Sequence, residues 1–345
     1  MNTSAPARAL VTGATGFLGR YLVEALLDRG WRVTALCRSS SDTAWLRTRD
    51  VILAQGDLLD RASIEAAIEP GTAVIFHTAA DLSVWHRHNE RQTRINVEGT
   101  RNVVAAALGS QRPRLVHIST IVARGEHSTP ITEDMPSNAA DSWINYERSK
   151  WLAEEEVRMG ARAGLHACIV CPSATLGARD RLGWGKLFID IAHRRVPFFL
   201  PGSGTFNDVR AVVAGIIDCA VRGRAGETYL LSGDTLTFKE LMNAAAREVG
   251  VPAPRLTLPR PLVMAMAGLA DWASSRRGVE PALTREMATL LCRQTICGSR
   301  KAEIELGYRP APALPALRES IRWLREAGLI PAAAAMVHHE TGSIG

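Results

Sequence analysis

The chain lacks the marks of several common protein classes. Its 345 residues include six cysteines, at 37, 168, 171, 219, 292 and 297, with no secreted-framework spacing, so reduced thiols are expected. Metal is not expected either. His86-Arg87-His88 and His338-His339 have no Cys, Asp or Glu at ligand spacing, and surface histidines explain them better. The longest apolar helical stretch, Pro261 to Ala273, is interrupted by Asp271 and too short to span a bilayer. That excludes stable membrane insertion; packing on the core is favoured for this helix, with peripheral membrane contact as the lesser alternative. The net charge is +6, but the basic residues are scattered and form no stripe with interleaved aromatics, which argues against nucleic acid. There is no signal-peptide core before the first strand, so a cytoplasmic location is expected. No internal repeat or long linker is visible.

What is present is enough apolar material, 46% of the residues, for a sizeable core. The length exceeds what one core usually supports, so a main domain plus a substantial elaboration is expected. Ala73 to Phe76, Leu115 to Ile118 and Ala167 to Cys171 read as short strands covered on both faces of a parallel sheet. Near the N-terminus, Arg8 to Thr12 reads as a strand, followed at once by Gly13, Gly16 and Gly19. From Phe17 to Arg29, Leu18, Leu22, Val23, Leu26 and Leu27 recur at helical spacing, Gly30 stands at the C-cap, and Trp31 to Leu36 reads as a second strand. Strand, glycine turn, helix and strand form the context of a dinucleotide-binding fingerprint. Glycines let the backbone approach a pyrophosphate, and the helix N-terminus faces the anion. The spacing is G-x-x-G-x-x-G rather than the commoner G-x-G-x-x-G.

Far downstream, Tyr146 and Lys150 stand four residues apart in Tyr146-Glu147-Arg148-Ser149-Lys150. On a helix they share a face. An ammonium beside a phenol would lower its pKa and make proton exchange with a substrate oxygen feasible. Alone this short pattern is weak, and an ordinary helix start accounts for it; after the glycine turn it describes a nicotinamide-dependent enzyme.

The chain resembles the extended short-chain dehydrogenase/reductases, which belong with the NAD-dependent epimerases and dehydratases, from about Ala9 to about Leu329. Gly56-Asp57-Leu58-Leu59-Asp60, His77-Thr78-Ala79-Ala80, Asn96-Val97-Glu98-Gly99-Thr100, His117-Ile118-Ser119-Thr120, Cys171-Pro172-Ser173-Ala174-Thr175-Leu176-Gly177 and Asn207-Asp208-Val209-Arg210 follow in family order. Asp81 to Trp85 and Trp143 to Lys150 are most similar to bacterial dihydroflavonol 4-reductase-like and 3β-hydroxysteroid dehydrogenase-like members. The resemblance implies an α/β fold: a Rossmann-type doubly wound parallel sheet over 1–177, with returning segments around 206–232. A smaller substrate lobe would occupy 178–330, and 331–345 would be a frayed tail. It implies Tyr146 as proton donor or acceptor, Lys150 on the nicotinamide ribose, and Thr120 on the substrate carbonyl, with Ser119 as competing candidate. Asn96 would support a water relay; a helix N-cap is its other reading. Gly13, Thr15, Gly16, Phe17, Leu18, Asp57, Leu58, Ala79, Pro172 and Thr175 would line the cofactor, although Asp57 could equally cap the helix that begins near Arg61. Family members often dimerise through the helices carrying the equivalents of Asn96 and Tyr146, so a homodimer is an option.

For the cofactor, an NAD-selective fold places a carboxylate about twenty residues after the first glycine. Here the second strand ends at Cys37-Arg38-Ser39-Ser40 with no acid, and Arg38 offers a bidentate fit to a 2′-phosphate. NADP(H) is favoured, and NAD(H) is the alternative. In the C-terminal part, a return strand at Tyr229 to Leu231 and helices over Lys239 to Val249, Pro261 to Ser275 and Ala282 to Arg293 are expected. Trp85, Trp143, Trp184, Phe188 and Phe198 could line an apolar pocket, with Leu82, Trp85 and Trp184 the chosen substrate contacts; packing accounts for about half of these aromatics. The expected activity is NADPH-dependent reduction of a ketone or aldehyde on a hydrophobic small molecule. The rivals are a nucleotide-sugar epimerase or dehydratase, whose R-P-x-N-x-x-G-P-like stretch is replaced by Cys171 to Ala178, and a non-catalytic NADP-sensing regulator, which would commonly lose the Tyr/Lys pair.

Overall fold

A computed structural model describes residues 6–332. His338-His339 and most of the expected tail lie outside them. The N-terminal half alternates strands and helices: β1 (Arg8–Thr12), α1 (Phe17–Asp28), β2 (Arg32–Cys37), β3 (Val51–Gln55), α2 (Arg61–Ala67), β4 (Thr72–His77), α3 (Asn89–Thr93), α4 (Gly99–Gly109), β5 (Arg114–Ile118), α5 (Asn145–Arg162) and β6 (Ala167–Pro172). A π-helical turn, Arg94–Glu98, joins α3 to α4. The remainder holds β7 (Ala174–Leu176), α6 (Trp184–Ala192), β8 (Ser203–Asp208), α7 (Val209–Arg222), β9 (Thr228–Leu231), β10 (Asp234–Thr237), α8 (Phe238–Val249), α9 (Arg260–Arg277), α10 (Arg285–Leu291), α11 (Arg300–Leu306) and α12 (Ala313–Glu326).

The main sheet has seven strands in the order β3-β2-β1-β4-β5-β6-β9, and every pairing is parallel. Alternate residues of a strand point to opposite faces, which explains the continuous apolar runs. Val11, Phe76, Val116 and Val170 meet α1 and α7 through Leu22, Leu26, Val212 and Ile216. Their neighbours Leu10, Ile75, Leu115 and Ile169 meet α2, α4 and α5 through Ile64, Val103 and Val157. Both faces are covered. The chain turns from α1 into β2 at Gly30, whose φ of 74° suits glycine.

After β6 the chain leaves the sheet. Strands β7, β8 and β10 form a second sheet, packed on α6, α8 and α12 around Phe188, Phe206, Phe238 and Leu241. It returns twice, as α7 on one face and as β9 at the edge. Helix α10 is shorter than the expected 282–293 segment because Thr284 caps it, its Oγ1 accepting the Met287 N–H at 3.0 Å. All six cysteines are buried and unbridged.

Candidate active site

The ends of β1, β4 and β5 and the start of α5 meet at one edge of the sheet. Gly13, with φ of 72°, brings β1 against β4: a Cβ there would lie 2.7 Å from both the Ala79 nitrogen and the Thr78 Oγ1. Gly19 seats α1 directly on that turn, since its Cβ would fall 2.1 Å from the Gly13 oxygen. Gly16 begins α1 with no side-chain cap, and no acidic residue stands in the first turn. The first N–H groups of α1 are therefore left for an anion. The cradle fits a dinucleotide pyrophosphate. Thr15 fixes the loop, its carbonyl accepting from Arg20 Nε at 3.1 Å, while Phe17 and Leu18 are half-buried at the helix start.

The other expected cofactor residues lie along the same edge. Arg38 follows β2, exposed, and its guanidinium makes no hydrogen bond or ion pair among the described residues. Asp57 does not cap α2, as the alternative reading had it. It accepts the Leu59 N–H at 2.9 Å, and the cap is Asp60, which accepts from Ala62 and Ser63. Leu58 wedges against Gly99, Pro172 ends β6, and the Thr175 hydroxyl donates to the Ser173 carbonyl at 3.0 Å.

Tyr146 and Lys150 occupy the first turns of α5 on one face. Lys150 is 3% exposed and donates to the Ile118 carbonyl at 2.9 Å. Burial pushes its pKa down to about 8, opposed by the negative charge of Glu154 one turn further along. Burial pushes the Tyr146 phenol up to about 12, and a side-chain hydrogen bond with Thr120 works the other way. The expected lowering of the phenol by Lys150 is thus not met: the ammonium is held by a backbone carbonyl, and desolvation wins. Ser119 and Thr120 point to different places. Ser119 donates to the Glu154 carboxylate at 2.6 Å inside the core, and Thr120 is the hydroxyl left beside Tyr146.

Sequence reasoning missed Glu154. This fully buried carboxylate is bonded by Arg124 and, at 2.7 Å, by Arg158, and it balances the buried cations around Lys150. Its signal was available, since 146, 150 and 154 share a helix face. Below Lys150, His77 and His117 lie 5.2 Å apart and are held neutral; burial puts His77 down to about 3 and His117 well below the usual imidazole range.

Asn96 is not an N-cap. It sits inside the π-turn, where its Oδ1 accepts the Asp81 N–H at 2.8 Å while its Nδ2 donates to the Asp81 carbonyl at 3.0 Å and the Ser149 Oγ at 3.1 Å. Asn96 therefore ties the loop after β4 to α5 at Ser149. The aromatic expectations divide. Phe188 is buried in the lobe core, and Trp184 packs against that core partly buried, 4.9 Å from Phe206 and 5.8 Å from Phe238. Trp85 is buried, and its Nε1 donates to Asp271 at 2.9 Å, which clamps the loop to α9. Leu82 and Trp143 are open to solvent, 65% and 51% exposed.

Residues 9–215 match the NAD dependent epimerase/dehydratase family. The chain belongs to this family. A sterol demethylase protein B from Methylococcus capsulatus is 35% identical over 93% of this chain and 99% of its own. A putative dihydroflavonol 4-reductase from Synechocystis is 28% identical over 93% and 95%. Among solved structures, gox2253 superposes with a TM-score of 0.82 at 33% identity, covering 94% of this chain and 99% of its own. As a member of the epimerase/dehydratase family, the protein is an NAD(P)-dependent oxidoreductase of alcohol and carbonyl groups, of the extended short-chain type.

Proposed function

We propose that this family member is an NADPH-dependent reductase of a ketone or aldehyde on a hydrophobic small molecule. The observation that carries the reading is the pairing of the Tyr146 phenol with Thr120, beside buried Lys150. NADP(H), when bound, supplies the hydride. Tyr146 gives its proton to the substrate oxygen, and a phenol that titrates near 12 holds that proton throughout the neutral range. Thr120 orients the carbonyl. Lys150 would hold the nicotinamide ribose and return a proton to the tyrosinate, itself reprotonated from solvent, while Asn96 positions α5 and the loop at Asp81. Gly13, Gly16 and Ala79 admit the pyrophosphate, and Thr15, Phe17, Leu18, Leu58, Pro172 and Thr175 surround the cofactor. Asp57 would meet the adenine edge.

Arg38 supports NADP(H) over NAD(H): just after β2, where an NAD-selective fold needs an acid, its guanidinium has no partner among the described residues. The apolar substrate class draws on the exposed Leu82 and Trp143, on the loop after β4 and just ahead of α5, and on relatives named for a sterol and a flavonoid-type reductase. Trp85 acts on the substrate only through the loop that it clamps. A nucleotide-sugar epimerase is the second reading, from the family description.

Tyr146→Phe tests the assignment. The variant should bind NADPH as wild type does and lose at least ~10²-fold in kcat, the lower end of general-acid contributions. Near-wild-type kcat would remove Tyr146 from the proton-donor role.

A further inference from the structure

Helix α9 is apolar on both sides. Val263 and Ala267 face inward, toward Ala288 and Cys292. A surface helix would be polar on its other side. Instead Leu262, Met266 and Leu269, spaced i, i+4 and i+7, are exposed by 46%, 43% and 67%, and Trp272 by 56%. The exposed charge around this face is mostly positive. Arg255, Arg260, Arg276, Arg277 and Arg285 are exposed, whereas Glu280 is the one exposed carboxylate between residues 255 and 286; Asp271 and Glu286 are buried. The Arg276 guanidinium lies 3.9 Å from the centroid of Trp272.

This face is tied to the loop after β4 and to Trp143, just ahead of α5. Trp85 holds Asp271 of α9 at 2.9 Å, the Thr284 hydroxyl donates to the Val84 carbonyl, and Arg285 lies over exposed Trp143 at 5.8 Å. We propose that the outer face of α9 docks on an anionic phospholipid bilayer, flat in the interface, with the loop after β4 beside it. An apolar stripe with a boundary tryptophan and a rim of arginines meets the needs of an interfacial helix. Anionic headgroups pair with that rim. A twofold contact between two copies of α9 would set the rim against itself. No helix among the described residues is long and apolar enough to cross a membrane, so the contact is peripheral. Delivery of an apolar substrate from the bilayer to the candidate site rests on the reductase reading; the docking does not.

The test is co-sedimentation of the full chain with phosphatidylcholine vesicles, with and without phosphatidylglycerol. Binding should require phosphatidylglycerol and fall with salt. Leu269→Glu, and separately the double change Arg276→Gln with Arg277→Gln, should each weaken it on the order of tenfold. Both variants should keep the wild-type Tm and wild-type reduction of a water-soluble ketone. Absence of vesicle binding, or equal binding by wild type and variants, overturns the proposal. So does a solution dimer that Leu269→Glu splits, because a second copy would then cover α9. If the vesicle pattern holds while wild type reduces no ketone, docking stands and the reductase reading fails.

Discussion

Lys150 carries its charge where burial opposes it. Its pKa stands at about 8 in the folded chain against 10.5 for an ordinary lysine. Between those values the unfolded chain binds more protons, so stability rises with pH across that window and the full cost is borne below pH 8. Lys150→Met should therefore abolish activity and raise the Tm at pH 7, and its advantage should shrink as pH rises from about 8 toward 10.5. Glu154 remains paired with Arg124 and Arg158 in the variant, so no uncompensated buried charge is created. Thermal unfolding of both proteins at pH 7 and pH 10 checks this; a lower Tm for the variant at pH 7 would mean that Lys150 is a net stabiliser. The identities of Tyr146 and Lys150 were legible from spacing. Their electrostatics were not, because the burial of α5 and the carbonyl at Ile118 come from elements distant in the chain.

At the scale of elements, the tryptophans separate packing from function. Trp184 is partly buried and stacks on Phe238 at the lobe core, so Trp184→Ala should cost up to about 3 kcal/mol of stability, the low end for truncating a large aromatic. Trp85→Phe should cost about 1–3 kcal/mol by removing the Nε1 hydrogen bond to Asp271, whose other oxygen keeps His86 Nδ1 at 3.4 Å. Only Trp85→Phe should raise KM, because it frees the loop leading from β4 to α3. Denaturant unfolding together with KM for both variants decides it; an unchanged stability with a raised KM for Trp184→Ala would return that ring to the substrate pocket. The strands buried on both faces were readable because Ala73 to Phe76 and Leu115 to Ile118 are uninterrupted apolar runs. Strand β8, Ser203-Gly204-Thr205-Phe206-Asn207-Asp208, has no such run. Its burial follows from pairing with β7 and β10, which no local pattern announces. The π-turn at Asn96 was hidden for the same reason, since its bonds reach Asp81 and Ser149.

At the scale of the whole molecule, the sheet order, the glycine cradle and the acid-free end of β2 belong to one arrangement that brings a dinucleotide and a phenol to the same edge. The N-terminal part of this was legible because each βα unit carries its own hydrophobic period and its own turn glycine. The lobe was legible only as helices, because its contacts with the loop after β4, through Trp85 and Asp271, join residues 186 positions apart. The central claim is net reduction with NADPH as the preferred donor. The direct measurement is the stoichiometry of purified protein with an apolar ketone, NADPH or NADH, counting cofactor oxidised against alcohol formed. One NADPH should be consumed for each alcohol, with slower turnover on NADH. Interconversion of nucleotide sugars on retained NAD, with no net oxidation of NADPH, would contradict the account.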